Sequence, residues 1–131
     1  FESFGNPVEV ISKEDKVRYH AAAAMASNLY VGLANMCEQM LRDCGFSAAN
    51  AHRALSPLMI GNTENIIQYG PVGALTGPIE RNDLTTVMDH LESLSEQEQK
   101  VYKILSGEVI NVAKMKHPER DYSEMERMLN S

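Results

Sequence analysis

Lys16, His20, Ser27 and Asn28 are the residues whose types and spacing suit chemistry. Lys16 and His20 stand one helical turn apart, and Ser27 falls close to the same line two turns further on. Asn28 is rotated from His20 by about 80° at 100° per residue. Histidine changes charge near the middle of the pH range and suits proton transfer, while asparagine holds a carbonyl or hydroxyl in place. The line has two readings: a polar edge facing a substrate cleft, or a set of groups bonded to neighbouring helices and backbone. A second group, Thr76, Gly77, Pro78, Arg81 and Asp83, lies in a segment punctuated by Gly and Pro. Segments of that kind often carry function, and Arg81 has the chemistry to meet an anion. The alternative is a plain connection in which Asn82 or Asp83 caps the next helix and Arg81 is solvated.

Other chemistries find no support. His20, His52, His90 and His117 show no i, i+4 pairing and no Cys-x-x-Cys accompanies them, so a metal site is not expected. Gly70, Gly73 and Gly77 follow a helical pattern rather than a strand, the wrong context for a dinucleotide turn, so no cofactor is expected for this chain alone. There is no nucleophile-elbow sequence, although spacing leaves Ser/His/Asp or Cys/His arrangements open. Cys37 and Cys44 are separated by about 10 Å of helical rise, beyond disulfide reach, and read as reduced, half-buried thiols.

The elements that must position these residues are helical. Ser12 and Asp15 form a capping pattern, and helical character continues to Gly45 in the C′ role. That predicts a first helix of about 30 residues, some 45 Å long. Its small residues, Ala21 to Ala24, Ala26, Gly32 and Ala34, place it at the centre of the fold by simple core packing. Ser47 caps a second helix that Pro57 should kink or split and that Gly70-Pro71 stops, leaving 70–82 as a long loop. Leu84, Val87, Met88, Leu91 and Leu94 line a third helix. Ser95 with Glu98 opens a fourth, with Val101, Ile104, Leu105, Val109 and Val112 on its apolar face and Pro118 at its end. A short last helix holds Met125, Met128 and Leu129 together. Val8-Glu9-Val10-Ile11 reads as one strand without a sheet.

With 131 residues the chain has room for one ordinary core. Twelve Lys and Arg against 18 Asp and Glu give a net charge of −6, with no basic stripe, which argues against nucleic acid as a partner. An apolar content of 44% with 23% charged residues argues against wholesale disorder. Residues 19–37 carry no formal charge, but His20, Ser27, Asn28, Asn35 and the alanines make them a buried helix rather than a membrane span. The first residues show no signal-peptide pattern, and cytoplasm is the expectation.

Tyr19-His20-Ala21-Ala22-Ala23, Ala26-Ser27-Asn28, Pro57-Leu58, Glu64-Asn65-Ile66 and Ala74-Leu75-Thr76-Gly77-Pro78-Ile79-Glu80-Arg81-Asn82-Asp83 together carry a resemblance. Val87, His90-Leu91, Tyr102 and Leu105 extend it, so that it covers about residues 16–113. These residues resemble the helical C-terminal domain of Rossmann-like oxidoreductases, a domain of unknown function (number 2520), and its most specific part is Leu-Thr-Gly-Pro-Ile. In its wider superfamily the domain is similar to the C-terminal domains of 6-phosphogluconate dehydrogenase and pyrroline-5-carboxylate reductase. The resemblance implies an all-α helical bundle around a long central helix that closes over the nicotinamide end of NAD(P) and forms a homodimer. It also implies that a preceding dinucleotide-binding domain lies outside this chain. Residues 1–12 would then be its remnant or a linker, with the strand at 8–11 the last of the missing sheet, and residues 13–131 would be the helical domain. On this reading Lys16, His20 and Asn28 are catalytic. Ser27, Thr76, Gly77, Pro78, Arg81 and Asp83 bind a small-molecule substrate, and the domain alone is inactive. Asn82 stands where the resemblance implies glycine. The alternative is a freestanding helical dimerisation or protein-interaction module without catalysis.

Overall fold

A computed structural model describes residues 11–131, which form six α-helices and, among the described residues, no strand. The all-α class expected from the sequence stands. The expected strand at 8–11 lies, but for Ile11, outside the described residues. The helices are α1 (Lys13–Ala26), α2 (Asn28–Asp43), α3 (Ala48–Ala74), α4 (Leu84–Ser93), α5 (Glu96–Lys116) and α6 (Ser123–Leu129). The chain divides into two units, Phe1–His52 and Arg53–Ser131.

In the first unit Ser12 caps α1 by accepting the Asp15 N–H. The single 30-residue helix expected from the sequence is broken at Ser27 (φ −121°, ψ −75°). The cause is local: the Ser27 hydroxyl donates to the Ala23 carbonyl at 2.6 Å, and the Ser27 N–H turns to Ala24 instead. α2 ends in a Schellman motif, with Gly45 at φ 102° and bonds from Gly45 N–H to Arg42 O and from Phe46 N–H to Leu41 O. The expectation that the small residues of this segment are buried in a core fails. α1 and α2 bury no residue, and of Ala21 to Ala24 only Ala24 is even half-buried. Alanine favours helix by intrinsic propensity as much as by close packing, so the run identifies a helix without locating it in a core. Cys37 is half-buried as expected, whereas Cys44, at the C-cap, is exposed.

Ser47 accepts the Asn50 N–H and starts α3. Pro57 does not split it: the non-helical residue is Gly70 (φ 76°, ψ 172°). That conformation is open to glycine and is enforced by the proline that follows, which excludes the helical region at the preceding position. Pro71 then opens a further helical turn, closed by Leu75 N–H on Pro71 O, so the irregular segment begins at Leu75 rather than Gly70.

In the second unit a core of Ile79, Val87, Leu91, Ile110, Ala113, Tyr122, Met125 and Leu129 joins the 75–83 segment to α4, α5 and α6. α5 begins with a complete capping box at Ser95 and Glu98 and is followed by Pro118. Its buried face is rotated by about 100°, one residue, from the expected one. Ser106, Ile110 and Ala113 are buried, while Ile104 and Leu105 are exposed. Small side chains at 106 and 113 suit a face that meets Tyr122 and Met125, the largest fully buried residues of the chain.

Candidate functional site

The two groups singled out from the sequence fall in different units. In the first, Lys16 and His20 are exposed on α1, with the His20 ring tilted beside Tyr19 at a centroid distance of 6.0 Å. Ser27 and Asn28 occupy the junction of α1 and α2. The Ser27 hydroxyl, committed to Ala23, also lies 3.3 Å from Asn28 Oδ1. For Ser27 the alternative reading is met on its backbone side, since the hydroxyl is bonded to the Ala23 carbonyl. A pairing missed by the sequence analysis, His52 Nδ1 to Glu38 Oε2 at 2.7 Å, ties the start of α3 to α2.

In the second unit residues 77–82 form a turn closed by Arg81 N–H on Gly77 O, Asn82 N–H on Ile79 O and Asp83 N–H on Pro78 O. Asn82 ends it at φ 60°, the left-handed conformation that glycine adopts most freely and asparagine tolerates. Asn82 is fixed there because Nδ2 donates to Asp121 O at 2.8 Å. Both carboxylate oxygens of Asp83 are taken by Thr86, one by its N–H at 3.1 Å and one by its hydroxyl at 2.7 Å. The Thr86 hydrogen bonds, with Arg81 and His90 nearby, outweigh desolvation and hold the Asp83 carboxyl below the usual carboxylate range. Asp83 is thus the N-cap of α4. Thr76 and Arg81 are exposed, and Gly77 and Pro78 are half-buried.

Glu80, to which the sequence analysis assigned no role, is the hub of this segment. Its Oε2 accepts from His117 Nε2 at 2.7 Å and Arg120 Nη1 at 3.2 Å. Its main-chain carbonyl accepts from Arg120 Nη1 at 2.8 Å and the Tyr122 hydroxyl at 2.7 Å. Lys116 Nζ donates to Leu75 O at 2.7 Å. Burial acts to raise the Glu80 carboxyl, but the His117 hydrogen bond and the charges of His117, Arg120 and Lys116 prevail and hold it low. The side chains of Glu80 and His117 are 14% and 20% exposed, so this is a largely desolvated link. The partners lie 37 or more residues away in sequence, and a local pattern holds no signal for them.

No strand precedes Gly70, Gly73 or Gly77 among the described residues, and a Cβ on Gly73 would lie 2.8 Å from Tyr69 Cβ. These glycines serve the elbow and the turn and do not fit a pyrophosphate cradle. Among the described residues no group of three or more His, Cys, Asp or Glu is placed to hold a metal ion, and no helix is long and apolar enough to cross a membrane.

Fold and site together define an all-α domain in which an irregular segment is fastened to the α5–α6 connection. The chain belongs to the family described as Domain of unknown function (DUF2520), whose model matches residues 1–109. No curated protein and no solved structure matches the chain.

Proposed function

We propose that this chain is the substrate-binding and dimerisation domain of a cytoplasmic, NAD(P)-dependent oxidoreductase whose Rossmann domain lies outside it. The observation that carries this reading is the exposure of Lys16 and His20 on a helix that buries nothing, leaving both available to a ligand or a second protein surface. In the complete enzyme His20 moves the proton, Asn28 orients a carbonyl or hydroxyl, and Lys16 supplies positive charge. NAD(P) supplies the hydride chemistry, and its binding residues belong to the other domain. Arg81 and Thr76, both exposed, are the residues of the 75–83 segment that remain available to a small-molecule substrate, since Asp83 is committed to Thr86.

The test is NAD(P)H-dependent turnover by the complete protein carrying His20→Ala or Asn28→Ala. Loss of proton transfer lowers kcat by about 10²–10⁴-fold for His20→Ala. Turnover unchanged in both variants removes the proposed site. The second reading, a freestanding dimerisation module, draws on the same uncovered helices and is favoured if the complete protein neither binds nor oxidises NAD(P)H.

A further inference from the structure

α4 and α5 hold a pair of side chains with no role so far. His90 Nδ1 lies 2.9 Å from the Tyr102 hydroxyl, and the two rings meet edge to face at a centroid distance of 5.9 Å and 81°. Gln99 Nε2, on α5, donates to Leu91 O at 2.8 Å and Leu94 O at 3.2 Å and ties the two helices together beside the pair. Tyr102 is half-buried against the core, and burial pushes its hydroxyl up, so it keeps its proton. His90 is exposed, and its Nε2 has no hydrogen-bond partner among the described residues. Arg81 is likewise unpaired. Glu80 before it is bonded to His117, Arg120 and Tyr122, and Asn82 after it to Asp121 O, so its backbone is held on both sides. Its guanidinium is exposed and, among the described residues, makes no hydrogen bond or ion pair, whereas Lys114, Lys116, His117 and Arg120 each have an acceptor. Arg81 and His90 both lie near enough to Asp83 for their charges to act on its carboxylate, whose two oxygens are taken instead by Thr86. An anion arriving there displaces no bond already made.

We infer that Arg81 and His90 hold a small carboxylate, the guanidinium by paired N–H bonds and His90 Nε2–H by a third, with Tyr102 as the residue that positions the imidazole. This names the substrate class for the 75–83 segment and rests on the reading above that the segment binds a substrate. The planar fork of arginine matches a carboxylate in two parallel bonds, and charge-assisted bonds of that kind are about twice as strong as neutral ones. The Tyr102 hydroxyl donates to Nδ1, which leaves the ring proton of neutral His90 on Nε2, available as a donor. His90 stands two turns along α4 from Asp83, about 10 Å of rise, and Arg81 stands two residues before it, so the long Arg81 side chain closes on a ligand seated at His90. The stem is fixed by Glu80 and Asn82 and only the tip has to be ordered, which lowers the entropic cost of binding.

Nitrogen-15 NMR of the unaltered chain titrated with sodium acetate tests the inference, with sodium chloride holding the ionic strength fixed and inorganic phosphate as a parallel titrant. Saturable shifts at Arg81 Nε and His90 Nε2 are expected, with a dissociation constant of about 1–10 mM. Arg81→Gln and His90→Ala should each weaken acetate binding at least about tenfold, while Lys100→Gln, at an exposed position paired with Glu96, leaves it unchanged. Tyr102→Phe should weaken it about threefold. At about pH 8 the same variant should move the neutral His90 ring from the Nε2–H form to a mixture of tautomers, a change that a merely structural role for Tyr102 would not bring. A neutral His90 that carries its proton on Nδ1, no saturation below about 100 mM acetate, or undiminished binding in Arg81→Gln overturns the inference. Tighter binding of phosphate than of acetate overturns the carboxylate as its ligand. If a variant misfolds, as the near-UV signal of buried Tyr122 would report, the titration of the unaltered chain decides. Acetate bound at Arg81 and His90 of a complete protein without NAD(P)H turnover removes the enzymatic reading and leaves this one standing, and turnover in a protein whose Arg81 and His90 do not respond to acetate does the reverse.

Discussion

Met125 and Met25 are the same residue on two helices, and the chain treats them in opposite ways. Met125 is fully buried in α6, in one core with Val87, Ile110 and Tyr122, whereas Met25 is exposed near the end of α1. The 53–131 unit closes a core of its own and fastens its irregular segment with hydrogen bonds from Lys116, His117, Arg120 and Tyr122. In the first unit α1, capped by Ser12, and α2 hold no fully buried side chain, although α2 half-buries Leu33, Met36, Cys37, Met40 and Leu41. Local propensity shapes both regions, but among the described residues only the second gathers a cluster of buried side chains.

The sharpest way to break that contrast is to shorten both methionines. Met125→Ala should cost about 2–5 kcal/mol of unfolding free energy in urea, the range for truncating a buried methionine. Met25→Ala should shift the same core transition by less than about 0.5 kcal/mol. Equal effects would dissolve the distinction between the two regions.

A smaller effect is expected at the hub. Glu80→Gln keeps the size and removes the charge that faces His117 and Arg120, and should cost about 1–2 kcal/mol, since hydrogen bonds to charged groups contribute about 1.5–3 when well buried. The sign of the pH dependence follows from the lowered Glu80 carboxyl. Its contribution is complete above the ordinary carboxylate range, near pH 4, and is lost as pH falls through the depressed folded-state value. Asp83 and Asp121 are held low as well, by bonds from Thr86 and Ser123, and act in the same direction. Acid unfolding should therefore be shallower in Glu80→Gln than in the unaltered chain but still present, and identical profiles would deny Glu80 its part.

The smallest effect concerns one backbone conformation. Asn82→Ala loses the bond to Asp121 O and places a Cβ with no compensation at φ 60°, while Asn82→Gly loses the bond but relieves the conformation. Alanine should be the less stable of the two by about 1 kcal/mol. The reverse order would mean that the turn takes another shape in solution.

What was legible in the sequence was local. Ser12, Ser47, Asp83 and the Ser95–Glu98 box are helix starts whose partners lie three residues away, and Gly45 marks an end in the same way. The break at Ser27 was hidden because serine is tolerated inside helices and bends them only when its hydroxyl turns back to the preceding turn. α5 carries apolar residues over more than one stripe, Val101, Ile104, Leu105, Val109, Ile110 and Val112, so its own sequence could not choose the buried arc; α6 chose it. The candidate site divides similarly. Residue types along α1 and in the 75–83 segment could be read, but Glu80 owes its position to His117 and Arg120, brought near only by tertiary folding.

Gly70 carries a consequence for how order spreads through the chain. Helix formation is cooperative because each turn hands its hydrogen-bond register to the next, and that hand-over stops at Gly70, whose φ of 76° leaves the register and whose successor, Pro71, has no N–H to resume it. The 27 residues of α3 are thus continuous in sequence but need two nuclei. Helical order gained or lost before Tyr69 has no ladder by which to reach the turn that starts at Pro71.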